Sequence, residues 1–328
     1  MGFAEIIGQR HQLDILRLAL ANNRLHHAYL FTGPEGVGKR TTALALAMAL
    51  HCTEQNGDFC GRCAECARIM ARNHPDVRVI ERLADKKEIS IQQIRDMEKE
   101  LRYRSFSGGR KIAIVDPATL LNPASQNALL KTLEEPPPDS LLILIAASAG
   151  ALLPTLRSRC LRLSFGPLPR QLIAGFLLSE KRVKPEEAEL LAALSMGSLG
   201  AALEMDGAEL RERRRVWGGM LSALKAGGYR GAMEAAEALA ASRDDALQFL
   251  EWAESWYRDL LVQAARQDAQ GVVNLDMLPE LQLQGAAAGV ERILSAAANA
   301  AGAARKIQRN LNRRMVLEQF LFGVVGSH

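Results

Sequence analysis

Three groups of residues in this chain are of a kind and spacing that can do chemistry. The first is Gly33-Pro34-Glu35-Gly36-Val37-Gly38-Lys39, the pattern G-x-x-x-x-G-K. Glycines so placed let backbone N–H groups turn inward around phosphate oxygens, and the lysine adds a point charge for the outer phosphates. Gly33, Gly36, Gly38 and Lys39 are therefore candidate phosphate ligands. The next residue should be Ser or Thr, whose hydroxyl holds Mg²⁺, but it is Arg40. Thr41 follows, yet one step along a helix turns a side chain by about 100°. The motif by itself does not secure Mg²⁺. Two readings of ATP or ADP stand open: weak binding through Lys39 and Thr41, or a loop that keeps its shape and holds nothing.

The second group is Lys111-Ile112-Ala113-Ile114-Val115-Asp116, a buried-strand pattern closed by a carboxylate. At the carboxyl end of a parallel strand Asp116 would face Mg²⁺ beside the phosphate loop. Asp is also common as a plain turn or cap residue. The following position, where a general base would polarise water, is Pro117, which has none to offer. Glu134 and Glu135 close a different helix. The third group is Cys52-x7-Cys60-x2-Cys63-x2-Cys66. Four thiolates suffice for a closed tetrahedral Zn²⁺ site, which is structural because it leaves no open position. His51 and His74 flank it as surplus ligands, expected at capping or surface positions. Cys160 stands apart.

These residues need a scaffold. Short apolar runs lie at 28–32, 77–81, 111–116, 141–146 and 160–165, most of them apolar on both faces at their centres, as strands covered by helices on both sides are. Helical patterns at 40–51, 91–103 and 125–133 alternate with them, so a parallel sheet with crossover helices is expected. Pro136, Pro137 and Pro138 stop the third helix. After Gly166-Pro167-Leu168-Pro169 the chain reads as helix only, with three short helices to about 205 and then longer ones, among them 244–267 and 286–322. The expected plan is an α/β P-loop domain at 1–165 with a zinc module at 52–66, a small helical lid at 166–206 and a helical domain at 207–328.

The 328 residues carry 41 Lys and Arg against 37 Asp and Glu, a net +4, too mild a surplus to identify a nucleic-acid partner. The longest apolar run, 141–154, is shorter than the roughly 18–20 residues that span a bilayer, and no signal peptide opens the chain. A cytoplasmic protein with no membrane partner is expected. Its cysteines would then stay reduced, which favours a metal over disulfides.

Asn127-Ala128-Leu129-Leu130-Lys131-Thr132-Leu133-Glu134-Glu135-Pro136-Pro137 resembles the clamp-loader ATPases (AAA+) of bacterial DNA polymerase III. So do Ile6-Ile7-Gly8-Gln9, the stretch from Leu152 to Cys160 with its Ser158-Arg159-Cys160 box, and Asn310-Leu311-Asn312-Arg313-Arg314. The resemblance spans most of the chain and is loosest from about 205 to 302. It implies an AAA+ parallel-sheet domain followed by two all-helical domains, the last a collar. The family's gamma and tau motors keep Ser or Thr, a Walker B glutamate and a sensor-2 arginine, where this chain has Arg40, Pro117 and Gly200. A non-hydrolysing stator of the hetero-oligomer is thus implied, partnered by gamma or tau and delta, helping to load the sliding clamp on primed DNA. Arg159 would reach a neighbour's γ-phosphate as an arginine finger, whose planar charge suits a transferring phosphoryl group. The resemblance also turns Arg95 and Lys131 toward DNA, where they would contact backbone without reading sequence. An active ATPase motor and a zinc-bearing nucleic-acid binder are the other readings. No paired carboxylates for two-metal nucleotidyl transfer are recognisable.

Overall fold

The computed structural model describes residues 2–54, 57–266, 271–287 and 289–326. It divides into two compact units, Met1–Ile173 with Ser195–Leu203, and Ala174–Leu194 with Glu204–His328.

The first unit is built on β1 (Ala28–Thr32), β2 (Val77–Ile80), β3 (Lys111–Val115), β4 (Ser140–Ala146) and β5 (Leu161–Ser164). All pairings are parallel, in the order β2-β3-β4-β1-β5. The helix α1 (Arg10–Ala21) precedes β1, and the crossovers that parallel neighbours need are mainly helices: α2 (Lys39–His51), α3 (Ala64–Met70), α4 (Ile91–Leu101), α5 (Pro123–Glu134) and the short α6 (Pro154–Arg157). Side chains of a strand alternate between faces. Tyr29, Phe31, Ile112, Ile114, Ile143 and Ile145 therefore join a core with α1 and α2. Ala28, Leu30, Ala113, Val115, Leu142 and Leu144 join a second core with α4 and α5. That double burial explains why the runs at β1, β3 and β4 are apolar on both faces, whereas β2 and β5 at the two edges of the sheet expose part of their length.

Local chemistry fixes the helix ends. Ser90 starts α4 with a capping box: its hydroxyl accepts from the Gln93 amide, and the Gln93 side chain accepts from the Ser90 amide. Asn122 caps α5 at 2.8 Å from the Ser125 amide, with Pro123 at the first helical position. The run expected at 28–32 is β1 to the residue, and the other four differ by a residue or two at the edges, leaving Glu81, Asp116 and Cys160 just outside.

The remaining helices are α7 (Arg170–Glu180), α8 (Pro185–Leu194), α9 (Leu199–Glu204), α10 (Gly207–Leu239), α11 (Arg243–Arg266), α12 (Leu278–Ala287), α13 (Val290–Gln308) and α14 (Arg313–Gly326). Among the described residues no strand follows Ser164. The second unit packs around Trp217, Phe249, Trp252, Trp256 and Phe320. The stretch 286–322, read from sequence as one helix, is broken. Asn310 sits in the left-handed region at φ 63°, and the Asn312 side chain accepts from the Met315 amide to start α14. Asparagine is the non-glycine residue that tolerates both roles. The helix α10 is likewise interrupted, at Gly228 with φ 53°. No helix of the described residues is long and apolar enough to cross a membrane.

Candidate functional site

The phosphate loop joins β1 to α2, the strand–loop–helix setting that its sequence required. Gly36 and Gly38 hold φ of 71° and 101°, a region open to glycine at little cost, so the loop can curl. Lys39 is buried, 6% exposed, and its ammonium donates to the Gly33 carbonyl at 2.6 Å and to that of Pro34. Burial pulls its pKa below the ordinary lysine value, against the opposing pull of Asp116 and Glu35. Thr41 points outward and is exposed. The amide of Gly200 donates to the Gly36 carbonyl at 3.0 Å, and a Cβ on Gly200 would lie 2.9 Å from the Gly36 Cα. A larger residue there, arginine included, would have to push this backbone apart.

Asp116 follows β3 at the carboxyl edge of the sheet. Its Oδ2 accepts from Arg40 Nε at 2.6 Å, and the same guanidinium reaches Glu81, which follows β2. The other Glu81 oxygen is 2.9 Å from Arg72 Nη1. A Mg²⁺ ion in the usual place would need a hydroxyl from the residue after the lysine and a free Asp116. It finds a guanidinium on that carboxylate and no hydroxyl. The residues present do not fit the ion. Sequence reasoning registered the missing hydroxyl but not this four-residue ion-pair chain. The available signal was acidic residues ending two neighbouring strands beside an unexpected arginine.

The four cysteines come together. Their sulfurs all lie within 4.8 Å of one another, and Cys60, Cys63 and Cys66 are buried. Gly61 turns the chain at φ 70°, and the amides of Arg62 and Cys63 donate to Cys60 Sγ at 3.4 and 3.2 Å. Burial pushes the Cys66 thiol up to about 12, with Cys63 and Cys52 adding to it. Four sulfurs so placed could hold a metal ion, and an all-cysteine set fits tetrahedral Zn²⁺.

His51 and His74 are not at the surface, as the sequence suggested, but buried with ring centroids 4.5 Å apart. His51 lies 2.9 Å from the Arg110 carbonyl and 3.1 Å from the Ser107 hydroxyl. His74 Nε2 is 2.8 Å from Glu65 on α3. Beside them lies Asp76, 2% exposed, an anchor that the sequence did not reveal. Against its burial, the Phe106 and Ser107 amides and the Ser105 and Ser107 hydroxyls hold its carboxyl well below the usual carboxylate range. The Lys111 ammonium sits 3.3 Å away.

Arg159 lies in the turn after α6. Its Nη1 donates to the Thr155 carbonyl at 2.8 Å and its Nη2 to Glu134 at 2.7 Å. Glu134 thus ends α5 engaged with Arg159 and not with the phosphate loop. Arg95 on α4 and Lys131 on α5 are both exposed, on two helices that pack together.

A family model described as DNA polymerase III, delta subunit, matches residues 8–169. The DNA polymerase III subunit delta' of Pseudomonas aeruginosa is 35% identical over 305 residues, covering 90% of each chain. The subunit delta' of Escherichia coli is 37% identical over 185 residues, 56% of this chain and 55% of its own. The Escherichia coli DNA polymerase III subunit tau is 35% identical over 209 residues, 62% of this chain and 32% of its own.

Proposed function

Since the chain belongs to the DNA polymerase III delta-prime subunit family, we propose that it is a non-hydrolysing stator of the polymerase's clamp loader. In this role it assembles in the cytoplasm with gamma or tau and delta, and the complex places the sliding clamp on primed DNA. The observation that carries the reading is the 2.6 Å ion pair between Arg40 and Asp116. A carboxylate neutralised by a guanidinium cannot also bind the metal that bridges the transferring phosphates. Pro117 supplies no base, and Gly200 is packed too closely on Gly36 for a sensor arginine.

The chain's contribution to catalysis is then made in trans. Arg159 is the finger: a planar cation that would exchange its Glu134 partner for the γ-phosphate held by the neighbouring subunit, where negative charge shifts as the phosphoryl group transfers. The cysteines hold structural Zn²⁺, which ties α3 to the end of α2. Residues 207–328 form the collar by which subunits join, and 166–206 form a small helical lid. Arg95 and Lys131 face the DNA and neutralise phosphates without base readout.

The test is steady-state ATP hydrolysis by this chain alone, then by the reconstituted loader carrying Arg159→Ala. No hydrolysis alone, with a loss of about 10³-fold at the neighbouring site, is expected of an arginine finger. DNA-stimulated hydrolysis by the isolated chain, abolished by Lys39→Ala, would instead make it a motor.

A further inference from the structure

The disagreement between this loop and a magnesium ion has a positive side. Arg40 does more than omit a hydroxyl. Its guanidinium is fixed at both ends, by Asp116 Oδ2 at 2.6 Å and by Glu81, and Glu81 is itself held by Arg72 at 2.9 Å. Asp116 and Glu81 follow β3 and β2, strands paired in register at Val115 and Ile80, so the two carboxylates are carried on one rigid edge. Arginine stays charged at any physiological pH, and its planar fork suits two carboxylates at once. The charges within this group balance: Arg40 and Arg72 against Asp116 and Glu81.

Lys39 is left outside that balance. It is 6% exposed, and its hydrogen-bond partners are the carbonyls of Gly33 and Pro34, with no carboxylate in contact. The loop glycines and the start of α2 keep the donors that cradle an anion. Anion recognition and metal recognition, joined in an ordinary phosphate loop, are thus separated here. The glycines and lysine of the first are present, and the place of the second is taken by a side chain.

We propose that Arg40 is a tethered substitute for the divalent ion, so that the loop excludes Mg²⁺ and any contact it makes with the diphosphate of a nucleotide is independent of metal. The proposal rests on the phosphate-loop part of the functional reading but not on the stator role or on Arg159. A divalent ion at Asp116 would have to displace a guanidinium already bonded there or sit beside it against like-charge repulsion. Neither is favoured while Glu81 and Arg72 hold Arg40 in place.

The experiment is calorimetric titration of the full chain with ADP, once in MgCl₂ and once in EDTA, for the wild type and for Arg40→Ser. Mn²⁺ with ADP, read by electron paramagnetic resonance, reports the ion directly. The wild type is expected to give the same result with and without metal, whether that is weak binding or none, and to hold no Mn²⁺. In Arg40→Ser the new hydroxyl and the freed Asp116 should make ADP binding tighter by about ten-fold when Mg²⁺ is present, within the ordinary range of coupling between two ligands. Removing Arg40 leaves Asp116 and Glu81 without their shared cation, so the double variant Arg40→Ser with Glu81→Gln covers the case in which the single variant fails to fold. Metal-enhanced ADP binding by the wild type would overturn the proposal. So would a folded Arg40→Ser chain, single or double, whose ADP binding ignores Mg²⁺. The stator reading fails separately, by hydrolysis in the wild-type chain.

Discussion

At the residue scale, the chemistry turns on a few side chains whose partners differ from those their motifs would lead one to expect. The cysteine cluster behaves as its spacing demands, and replacing Cys63 with Ser should release zinc. Atomic absorption on the purified variant that showed undiminished metal would remove the zinc assignment. Asp76 is the counter-case, a residue that no motif marks. Its carboxylate accepts four hydrogen bonds and pairs with buried Lys111. Asp76→Asn should cost about 3 kcal/mol, because it leaves that ammonium buried without its partner. The carboxyl titrates lower in the folded chain than in the unfolded one. Its contribution to stability is therefore complete above the unfolded value, near 3.9, and is lost as the pH falls from there through the folded value. Thermal melts at pH 7 and pH 3 check both statements. The variant should melt lower at pH 7, and the gap to wild type should narrow in acid.

At the element scale, helix starts do much of the positioning. The capping box of Ser90 and Gln93 sets where α4 begins, and α4 carries Arg95 and buries Ile94, Met97 and Leu101 against the sheet. Ser90→Ala should lower stability by about 1 kcal/mol, the usual worth of such a cap. Chemical denaturation showing a loss as large as that of Asp76→Asn would mean that the hydroxyl serves something beyond the helix. Near the C-terminus Asn310 and Asn312 do the opposite work, ending one helix and starting another where the pattern of apolar residues alone runs on. A periodic pattern records which faces are buried. It does not record a turn that leaves the next helix burying an equivalent face.

For the whole molecule, the two compact units divide the work. The candidate chemistry lies in the first, on the carboxyl edge of a five-stranded parallel sheet and on the insertion beside it that gathers the four cysteines. The second is helical, with all three tryptophans in its core. In the assembled loader, Arg95→Ala with Lys131→Ala should weaken DNA binding evenly across sequences. It should also lower the slope of log affinity against log salt by about 2, because each phosphate left without its basic side chain keeps its condensed counterion. An unchanged slope would take these two residues off the DNA.

What the sequence determined by itself was whatever depends on local spacing. Glycines that permit a phosphate-binding curl, cysteines at knuckle intervals, apolar runs of strand length and prolines that stop helices act through neighbours a few residues away, and so can be read in order. The parallel α/β architecture and the helical remainder followed from them, whereas membership of the delta-prime family rests on likeness over whole stretches of the chain. The tertiary structure decided which side chains meet across long separations. Arg40 finds Asp116 and Glu81 only because β2 and β3 are neighbours at one edge of the sheet. His51, His74 and Asp76 are buried only because α3 and the 105–107 loop close over them. Arg159 meets Glu134 only because α6 lies against α5. An ion pair depends on distance in space, and the chain order carries that distance only after the sheet order is known.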